Sequence, residues 1–382
     1  MLLFKDFVII NVLPLIVLVF MPFYFLILFV ILVLLGIYLV VLLLADLLKL
    51  ARQGKIIVGV FLSFLIIGFF IFLPLSRLNG SYLVQWFSLF FSLWSGLLFY
   101  LLGAAVILFI LKKITSRFSP RLLAGFGFLA ALILFLIGLF QALSPKVVNF
   151  SLELNNLPKY WQGKRVVQLS DIHLDGGVYG LRFLNNLVER VNNLEPDLLV
   201  LTGDIFDGKP NDVAFMVKQL GKLKATDGVF YVFGNHEYYL DELALEKMLR
   251  EEGIVILNDR AVMLDGLELI GWNYQEEDGD VYLRPEIVNL SPDEGQPRLL
   301  LKHVPEDIEA AEALGVDLQL SGHTHRGQLF PLSLMTRLIF GPYHYGWHSF
   351  GNLKLYTTSG VGTWGPPLRT FNQSEIPVFD LK

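Results

Sequence analysis

The length of the apolar N-terminal region is the feature that most constrains how this chain can fold. No charged residue occurs from Phe7 through Ala45, and further apolar segments run from about Ile56 to Leu75, Tyr82 to Ile110 and Leu122 to Leu143. As a single helix, at about 1.5 Å per residue, the first stretch would be roughly twice the thickness of a bilayer's hydrocarbon core. We therefore predict a helical hairpin that turns near Met21-Pro22. This gives five membrane spans, or four if the first stretch does not turn.

The distribution of charge divides the chain into two parts. Residues 1–146 hold ten Lys and Arg but two acidic residues, whereas residues 147–382 hold 20 basic and 33 acidic residues. We predict a transmembrane region over residues 1–146 and an acidic soluble domain over residues 147–382. Because the acidic domain offers no basic stripe, its composition argues against nucleic-acid binding.

Basic residues are concentrated in two of the predicted loops between spans, and the connection from Arg77 to Ser81 has a single base. The residues in the two basic loops are Lys49, Arg52 and Lys55, and Lys112, Lys113, Arg117 and Arg121. By the positive-inside rule, these two loops are cytoplasmic. One more span then places everything after Pro145 on the outer face. The prediction is an integral, multi-pass protein of the cell membrane with an extracytoplasmic domain.

The soluble part alternates short apolar runs with helical patterns. Helices are predicted over Leu181–Leu194 and Val213–Leu223, and a hairpin around Asp265-Gly266. The predicted strands are Val147–Leu154, Val166–Ser170, Leu198–Thr202, Phe230–Phe233, Ala261–Leu264, Leu267–Gly271, Arg298–His303, Leu318–Ser321, Leu353–Thr358 and Pro377–Phe379. Parallel βαβ units followed by more antiparallel strands predict an α/β domain of two packed mixed sheets with helices outside, an α/β/β/α sandwich.

Five of the apolar runs end directly in residues of the kind that bind metals. These runs are VVQLSDIH, LLVLTGDIFD, VFYVFGNHE, RLLLKH and LQLSGHTH. Side chains that follow buried parallel strands project from the same edge of a sheet. The candidate site residues that they contribute are Asp171, His173, Asp204, Asn235, His236, His303, His323 and His325. The chain has no cysteine, so nitrogen and oxygen atoms are the available donors.

The order of these blocks resembles the calcineurin-like metallophosphoesterases. The matching blocks are Asp171-x-His173, Gly203-Asp204-x-x-Asp207, Gly234-Asn235-His236-Glu237, a lone His303 and Gly322-His323-x-His325. The tail around Ser359-Gly360-Val361-Gly362 resembles a subgroup of membrane-anchored bacterial members. The resemblance covers most of residues 160–370, and it implies a dinuclear metal centre.

The resemblance also implies how the roles are divided. Asp204 is expected to bridge the two metal ions, because a carboxylate between two nearby cations reduces their repulsion. One ion is then held by Asp171, His173 and His325, and the other by Asn235, His303 and His323. Carboxylate and imidazole donors suit Mn, Fe, Zn, Co or Ni. A hydroxide that bridges the two ions would attack phosphorus. His236 would act as general acid, oriented by Asp207.

Several neighbouring residues leave alternatives open. Asp175 and Glu237 are interpreted as residues that support the ligands from behind or that face solvent. His344 and His348 are interpreted as ordinary loop residues, with contact to the substrate as the alternative. Arg326 and Arg369 are interpreted either as phosphate clamps or as surface residues. Arg326 stands where the anchored relatives usually have glycine. Glycine at this position would allow a positive φ angle and close approach of the backbone, so an arginine there is expected to change the pocket wall.

The predicted function is that of an outward-facing, membrane-bound phosphoesterase. The short linker Ser144–Asn149 keeps the domain close to the bilayer, and aromatic residues in Phe340–Phe350 are expected to reach the headgroup layer. This favours a lipid-linked or amphipathic phosphate ester as substrate. The alternatives are an inward-facing hydrolase of a nucleotide-linked lipid and a catalytically silent metal-binding membrane sensor. Monoesterase, diesterase and pyrophosphatase activities all fit the same metal site.

Overall fold

The computed structural model describes residues 13–78, 81–115, 118–174, 178–207, 210–274 and 295–382. The contacts between Cα atoms divide the chain into two units. The first unit comprises the chain up to Gly68 together with Leu97–Leu134. The second unit comprises Phe69–Gly96 and Phe135–Lys382, so it contains the ends of three apolar helices as well as all the described strands.

Among the described residues, four helices are long and apolar enough to cross a bilayer. They are α1 (Leu13–Leu48), α2 (Arg52–Leu78), α3 (Tyr82–Ile114) and α4 (Pro120–Leu143). Helix α1 continues through Met21-Pro22, so the hairpin predicted there is wrong. A proline removes one backbone N–H from a helix, whereas a reversal of the chain inside a bilayer would leave several backbone groups without partners.

The described strands form two six-stranded sheets. The strands of the first sheet are β1 (Lys146–Leu152), β2 (Arg165–Leu169), β3 (Leu198–Thr202), β4 (Val229–Val232), β5 (Ile254–Ile256) and β12 (Glu375–Leu381). Those of the second are β6 (Arg260–Leu264), β7 (Leu267–Trp272), β8 (Arg298–Lys302), β9 (Leu318–Ser321), β10 (Gly346–Phe350) and β11 (Leu353–Thr357). The strand orders are β1-β12-β2-β3-β4-β5 and β10-β11-β9-β8-β7-β6.

Five α-helices accompany the sheets in the part of the domain that the structure describes. They are α5 (Val178–Asn192), α6 (Pro210–Leu220), α7 (Glu242–Glu251), α8 (Ile308–Ala313) and α9 (Leu332–Phe340). Strands β2, β3, β4 and β5 are parallel to one another, and so are β7, β8, β9 and β11, whereas β6 and β10 pair antiparallel with their neighbours. The predicted fold class of two mixed sheets with flanking helices is confirmed.

Alternation along the strands places one apolar core on each face of the first sheet. In β2, Val167 and Leu169 pack with residues of α5, α6 and α7, while Val166 packs with residues of the second sheet. Successive side chains of a strand point to opposite faces, which explains this division. On the other face of the second sheet, Leu300 and Ile270 pack against α8. The result is four layers, in the order helix, sheet, sheet, helix.

Within the second unit, the last turns of α4 are hydrogen-bonded to the segment that precedes β12. The Arg369 N–H donates to the Gly138 carbonyl at 2.9 Å, and the Ser374 N–H donates to the Gln141 carbonyl at 3.3 Å. The Gln373 amide Nε2 donates to the Ser144 carbonyl at 2.6 Å. The last carbonyls of a helix have no partner inside the helix. These contacts provide partners for the carbonyls of Gln141 and Ser144 at the helix end and fix the segment to α4.

Candidate metal centre

The predicted site residues follow the carboxyl ends of five parallel strands. Strands β2, β3 and β4 of the first sheet are followed by Asp171 and His173, by Asp204, and by Asn235 and His236. Strands β8 and β9 of the second sheet are followed by His303, and by His323 and His325. Because the two sheets pack face to face, these ends meet at one edge of the domain.

Among the described residues, these side chains form three overlapping groups, and within each group the donor atoms lie within 4.8 Å of one another. One group is Asp171, His173 and His325, in which the His325 Nε2 atom lies 3.5 Å from the Asp171 Oδ1 atom. A second group is Asp204, His303 and His323, in which the His303 Nε2 atom lies 3.1 Å from the Asp204 Oδ2 atom. The third group, His173, Asp204 and His236, shares a residue with each of the other two.

Asp204 lies between the two groups. Its Oδ2 atom is 3.9 Å from His173 Nε2 and 4.0 Å from His236 Nε2, as well as close to His303. Its other carboxylate oxygen, Oδ1, accepts a hydrogen bond from the His236 backbone N–H at 2.9 Å. A carboxylate that is anchored through one oxygen and surrounded by imidazoles on the other side has the position expected of a residue shared by two cations.

The donor set fits divalent cations. Among the described residues, the Asn235 Oδ1 atom is buried and accepts no hydrogen bond, although Asn235 as a whole is half-buried. A buried amide oxygen without a partner is unfavourable unless a cation or another donor completes it. Together with the imidazoles and carboxylates around it, this atom makes the site suitable for metals that accept nitrogen and oxygen donors.

His236 and Asp207 form a pair at the rim of this cluster. The Asp207 Oδ1 atom contacts His236 Nδ1 and lies 3.3 Å from His173 Nδ1. The His236 side chain is 13% exposed, whereas the side chains of His173 and His303 are 1% and 0% exposed. His236 is therefore more accessible to a bound molecule than these two imidazoles.

Charge raises the pKa of two of the histidines. Burial acts to lower the pKa of His173, but the carboxylates of Asp207 and Asp204 outweigh it and raise the pKa to about 9. Burial also acts to lower the pKa of His303, but the carboxylate of Asp204 outweighs it and raises the pKa to about 9. Burial opposes ionisation of Asp204, but the charges of His303 and His173 lower its pKa. Without metal, both imidazoles are thus held as imidazolium ions beside carboxylates.

The two histidines that follow β9 behave in the opposite way. Burial, and then the charge of His303, lowers the pKa of His323 to about 3. Burial, and then the charge of His173, lowers the pKa of His325 well below its ordinary value. Both rings are therefore neutral at pH 7, the form in which an imidazole binds a cation. Burial raises the pKa of Asp171.

Several of the site residues have left-handed backbone conformations. The φ angle is positive at 55° for Asp171, 54° for His173, 52° for Asp204, 68° for His323 and 48° for His325. For residues other than glycine this conformation costs about 1–2 kcal/mol. Strain of this kind persists where the surrounding structure holds the residue in place, and it is often found at functional sites. The sequence blocks did not reveal this feature.

Glu237 holds two of the strand-end loops together. Its carboxylate accepts hydrogen bonds from the backbone N–H groups of Asp204, Ile205, Phe206 and Gly234, at 2.8–3.1 Å. The residue is fully buried, so it does not face solvent, and the structure supports the alternative in which it holds the loops of the ligands from behind. Burial, and then the charge of Asp204, raises the pKa of Glu237, while backbone hydrogen bonds act against this change.

Two glycines allow the loops after β3 and β4 to approach each other. A Cβ atom on Gly203, which has a φ of 86°, would lie 2.5 Å from His303 Nδ1 and 2.7 Å from the Gly234 nitrogen. A Cβ atom on Gly234 would lie 2.3 Å from Asp204 Oδ1. A side chain at either position would collide with the site, which gives a physical reason for glycine beside Asp204 and Asn235.

Arg369 is neither a phosphate clamp nor a surface residue, so both predicted roles are wrong. It is fully buried, and its guanidinium donates to the carbonyls of Ser359 and Gly362 at 2.6 and 2.7 Å. It also lies 3.4 Å from the His325 Nδ1 atom. Burial lowers the pKa of Arg369 to about 10. The residue therefore fixes the loop behind His325, and sequence reasoning missed this because its partners are distant in the chain.

Arg326 adopts a φ of 50°, the conformation for which glycine is favoured, and its guanidinium stacks over the Tyr345 ring at 4.1 Å. His344 Nδ1 contacts the Gly341 carbonyl at 3.1 Å, and His348 Nε2 contacts the Tyr345 carbonyl at 3.2 Å. His344 lies in a 3-10 turn, while His348 lies in β10 rather than in a loop. Asp175 lies outside the described residues.

Comparisons with known proteins show the family to which the chain is similar. Residues 164–327 match the family model described as calcineurin-like phosphoesterase. The chain is 35% identical over 259 residues to an uncharacterized metallophosphoesterase of Helicobacter pylori strain J99, covering 66% of this chain and 69% of that protein. It is 34% identical over 245 residues to one of Campylobacter jejuni, covering 63% and 64%. A Danio rerio protein described as a transmembrane protein with metallophosphoesterase domain is 33% identical over 257 residues, covering 62% and 57%. The chain thus spans less than two thirds of the length of two of these relatives.

Proposed function

This chain belongs to the calcineurin-like metallophosphoesterases, and from that premise we propose that it is a multi-pass membrane phosphoesterase with an extracytoplasmic catalytic domain and a lipid-linked substrate. It is a metal-dependent enzyme that hydrolyses phosphate esters. The observation that carries the proposal is the convergence of imidazole and carboxylate donors on Asp204, beside the His236–Asp207 pair.

We assign seven residues to the binding of two divalent cations. Asp204 would be shared, Asp171, His173 and His325 would hold one cation, and Asn235, His303 and His323 would hold the other. When bound, the cations polarise the phosphoryl group and lower the pKa of a water molecule. The groups of Asp171, His173 and His325 and of Asp204, His303 and His323 support the two sets, and the Asn235 oxygen, which has no hydrogen-bond partner, supports the inclusion of Asn235. His236 also lies in a group with His173 and Asp204, and we leave it out of the ligands because its Nδ1 atom contacts Asp207.

We assign proton transfer to His236. Asp207 contacts its Nδ1 atom, which leaves Nε2 on the side of Asp204, where substrate would lie. An imidazolium donates its Nε2 proton to the oxygen of the leaving group when the P–O bond breaks, and the Asp207 carboxylate stabilises the charged ring before transfer. The greater exposure of His236 compared with His173 and His303 supports this division of roles.

The orientation follows from the charges of the loops between spans. The connections around Lys49–Lys55 and Lys112–Arg121 are basic, so we place both in the cytoplasm, and α4 then carries the domain to the outer side. Fusing a reporter after Lys382 tests this. Alkaline phosphatase is active outside the cytoplasm and green fluorescent protein is fluorescent inside it, so activity of the first and silence of the second are expected. The reverse pattern would favour an inward-facing enzyme that acts on a nucleotide-linked lipid.

The hydrogen bonds between α4 and the segment before β12 support a substrate drawn from the membrane. They hold the loop of Arg369 against the end of α4, a candidate span, and the side chain of Arg369 contacts His325. A phosphate ester carried by a lipid would therefore reach the site without entering bulk water. A soluble ester would need no such proximity.

Hydrolysis by the full-length protein in detergent tests the reaction. The protein is stripped of metal, reloaded with Mn²⁺, and given an aryl phosphomonoester and an aryl phosphodiester. Activity that returns only with metal is expected, and the preferred ester identifies the subtype. Two bound metal ions with no turnover of either aryl ester or of a lipid phosphate would overturn the proposal in favour of a silent sensor.

A further inference from the structure

A cavity of about 210 Å³ lies in the second unit beside the loop that carries His173. One wall consists of the last turns of α2 and the first turns of α3. The opposite wall consists of Ile172–Leu174, the start of α5 and the loop around Gly362. The cavity therefore connects two apolar helices with a loop that supplies a proposed metal ligand.

The wall formed by the helices carries polar groups among apolar ones. Gln85, Ser88 and Ser92 line the cavity from α3, where their spacing places them on one helical face. The Ser76 hydroxyl of α2 lies 3.1 Å from the Ser88 hydroxyl. Trp86 and other apolar side chains also line the cavity. Polar residues in an apolar helix mark a functional face when they line a cavity instead of facing lipid.

We propose that this cavity is the subsite for the part of a lipid phosphate ester that adjoins its phosphate, namely the glycerol or sugar unit and the first methylene groups. Hydroxyl and amide groups suit the oxygens of such a unit, and the apolar side chains suit the methylenes. A cavity of about 210 Å³ accommodates this portion but not whole acyl chains. The inference rests on the proposed phosphoesterase function.

Filling the cavity tests the subsite. We would replace Ser92, which is buried, by phenylalanine in the full-length protein and compare hydrolysis of dioleoyl phosphatidic acid with that of an aryl phosphomonoester. The ratio of the lipid rate to the aryl rate is expected to fall at least about tenfold. The control is Ser63→Phe, the same change at a half-buried serine of α2 that does not line the cavity, and it should leave the ratio unchanged.

The outcomes separate the subsite from the reaction. An unchanged ratio in Ser92→Phe, whether both rates hold or both fall, overturns the subsite while leaving the phosphoesterase function intact. The variant Ser92→Ala, which removes the hydroxyl but leaves the cavity open, should preserve the fold and lower the ratio less than Ser92→Phe does. Wild-type protein that hydrolyses neither compound with metal bound would instead contradict the proposed function.

A second, independent observation concerns α9. None of its residues is buried, and its apolar side chains Leu334, Met335, Leu338 and Ile339 are 53%, 56%, 85% and 70% exposed. A surface helix of a globular domain normally buries its apolar stripe against the core. Contiguous exposed apolar surface of this kind marks a contact with a partner or a membrane.

The ends of α9 indicate what covers it. At one end, the ring of Phe340 contacts the ring of His323 at 5.6 Å. At the other, Phe330 contacts Phe371 at 5.9 Å, and Phe371 lies two residues after Arg369, whose N–H is bonded to α4 at Gly138. The exposed surface thus continues from the end of a candidate membrane span to the metal site.

We infer that α9 lies in the interfacial layer of the bilayer leaflet in which α4 ends, with Leu338 and Ile339 among the acyl chains. Helices with one apolar face lie in this layer in such a manner. The aromatic residues of Phe340–Phe350, which the sequence suggested for this contact, are less exposed: Trp347 is 36% exposed and packs against Phe150 and Tyr356.

The absence of cysteine from the chain allows a direct test. A single cysteine replaces Leu338, and a matched one replaces Leu243 of α7, which is also a leucine and 82% exposed. Each is labelled with an environment-sensitive fluorophore in the full-length protein in nanodiscs that contain doxyl-labelled lipid. Quenching at least several-fold stronger at position 338 is expected. Equal quenching at both positions, or a water-like emission at 338, would overturn the inference, and neither result depends on catalysis.

Discussion

Replacing Glu237 by glutamine should remove much of the stability of the domain. The carboxylate is fully buried, and each of its two oxygens accepts two backbone N–H groups: Oε1 from Ile205 and Phe206, Oε2 from Asp204 and Gly234. Glutamine keeps one oxygen and presents an NH₂ group to the other pair of donors. Two hydrogen bonds to a charged group, each worth about 1.5–3 kcal/mol, are then lost, which gives about 3–6 kcal/mol.

That loss is large compared with the stability of folded proteins, about 5–15 kcal/mol. In a domain of this size, about 1 kcal/mol moves the unfolding midpoint by about 2–4 °C, so a decrease of about 10 °C or more is expected. The assay is tryptophan fluorescence during heating of the full-length, metal-free protein in detergent. The same variant should bind metal poorly, because Glu237 ties the Asp204 loop to the loop of Asn235.

The matched control is Glu246→Gln. Glu246 forms an ion pair with Arg250 four residues on, and both side chains are partly exposed, so the pair contributes at most about 1 kcal/mol. Its midpoint should stay within about 4 °C of the wild type. If Glu237→Gln unfolded at the wild-type temperature and kept its metal content, the four backbone hydrogen bonds would not be holding the two loops together.

Three further predictions concern the centre itself. Asp204→Ala should lose both metal ions and activity together, measured by elemental analysis and turnover; two retained ions with normal turnover would exclude the shared-ligand assignment. His236→Ala should lower the rate about 10²-fold or more while metal content stays nearly intact, and loss of metal would make His236 a ligand. Because the pKa values of His173 and His303 are raised to about 9, their ion pairs stabilise the metal-free protein fully below about pH 6.5, and this contribution is lost as the pH rises to about 9. As the pH rises over the same range, Mn²⁺ should bind more tightly, since fewer protons must be displaced from the two histidines. Calorimetric titration at several pH values measures this affinity, and a fall with rising pH would contradict the prediction.

The sequence was sufficient to predict the strands that carry the site. Leu198–Thr202 is an almost continuous apolar run, which is typical of a strand buried on both faces, whereas in Leu318–Ser321 leucine alternates with a polar residue. Each strand is followed two residues later by a ligand-type residue, Asp204 or His323. The convergence of the site residues follows from parallel strands alone. Its local strain does not, because left-handed conformations at Asp171 or His323 depend on packing around the loop rather than on residue type.

Elements that depend on distant contacts escaped prediction. Strand β5 has three residues, too few for a periodic pattern, and it exists because Val229 and its neighbours in β4 offer a pairing edge. Strand β10 is rich in aromatic and polar residues and was interpreted as a loop, but pairing with β11 orders it. The burial of Arg369 relies on carbonyl groups from separate segments, which no local pattern encodes.

The position of β12 has a consequence for biosynthesis. This strand lies between β1 and β2, with Lys146 paired to Glu375 and Val167 to Val378. The first sheet therefore cannot close until a segment made much later than β1 has left the ribosome, although the apolar helices that precede β1 can enter the membrane before then. A nascent chain would pass through a period with its helices inserted and its catalytic domain still open, which is the state in which a polypeptide can be threaded through a translocation channel. Any product that stops short of Glu375 would leave two unpaired strand edges, a form that quality-control proteases recognise.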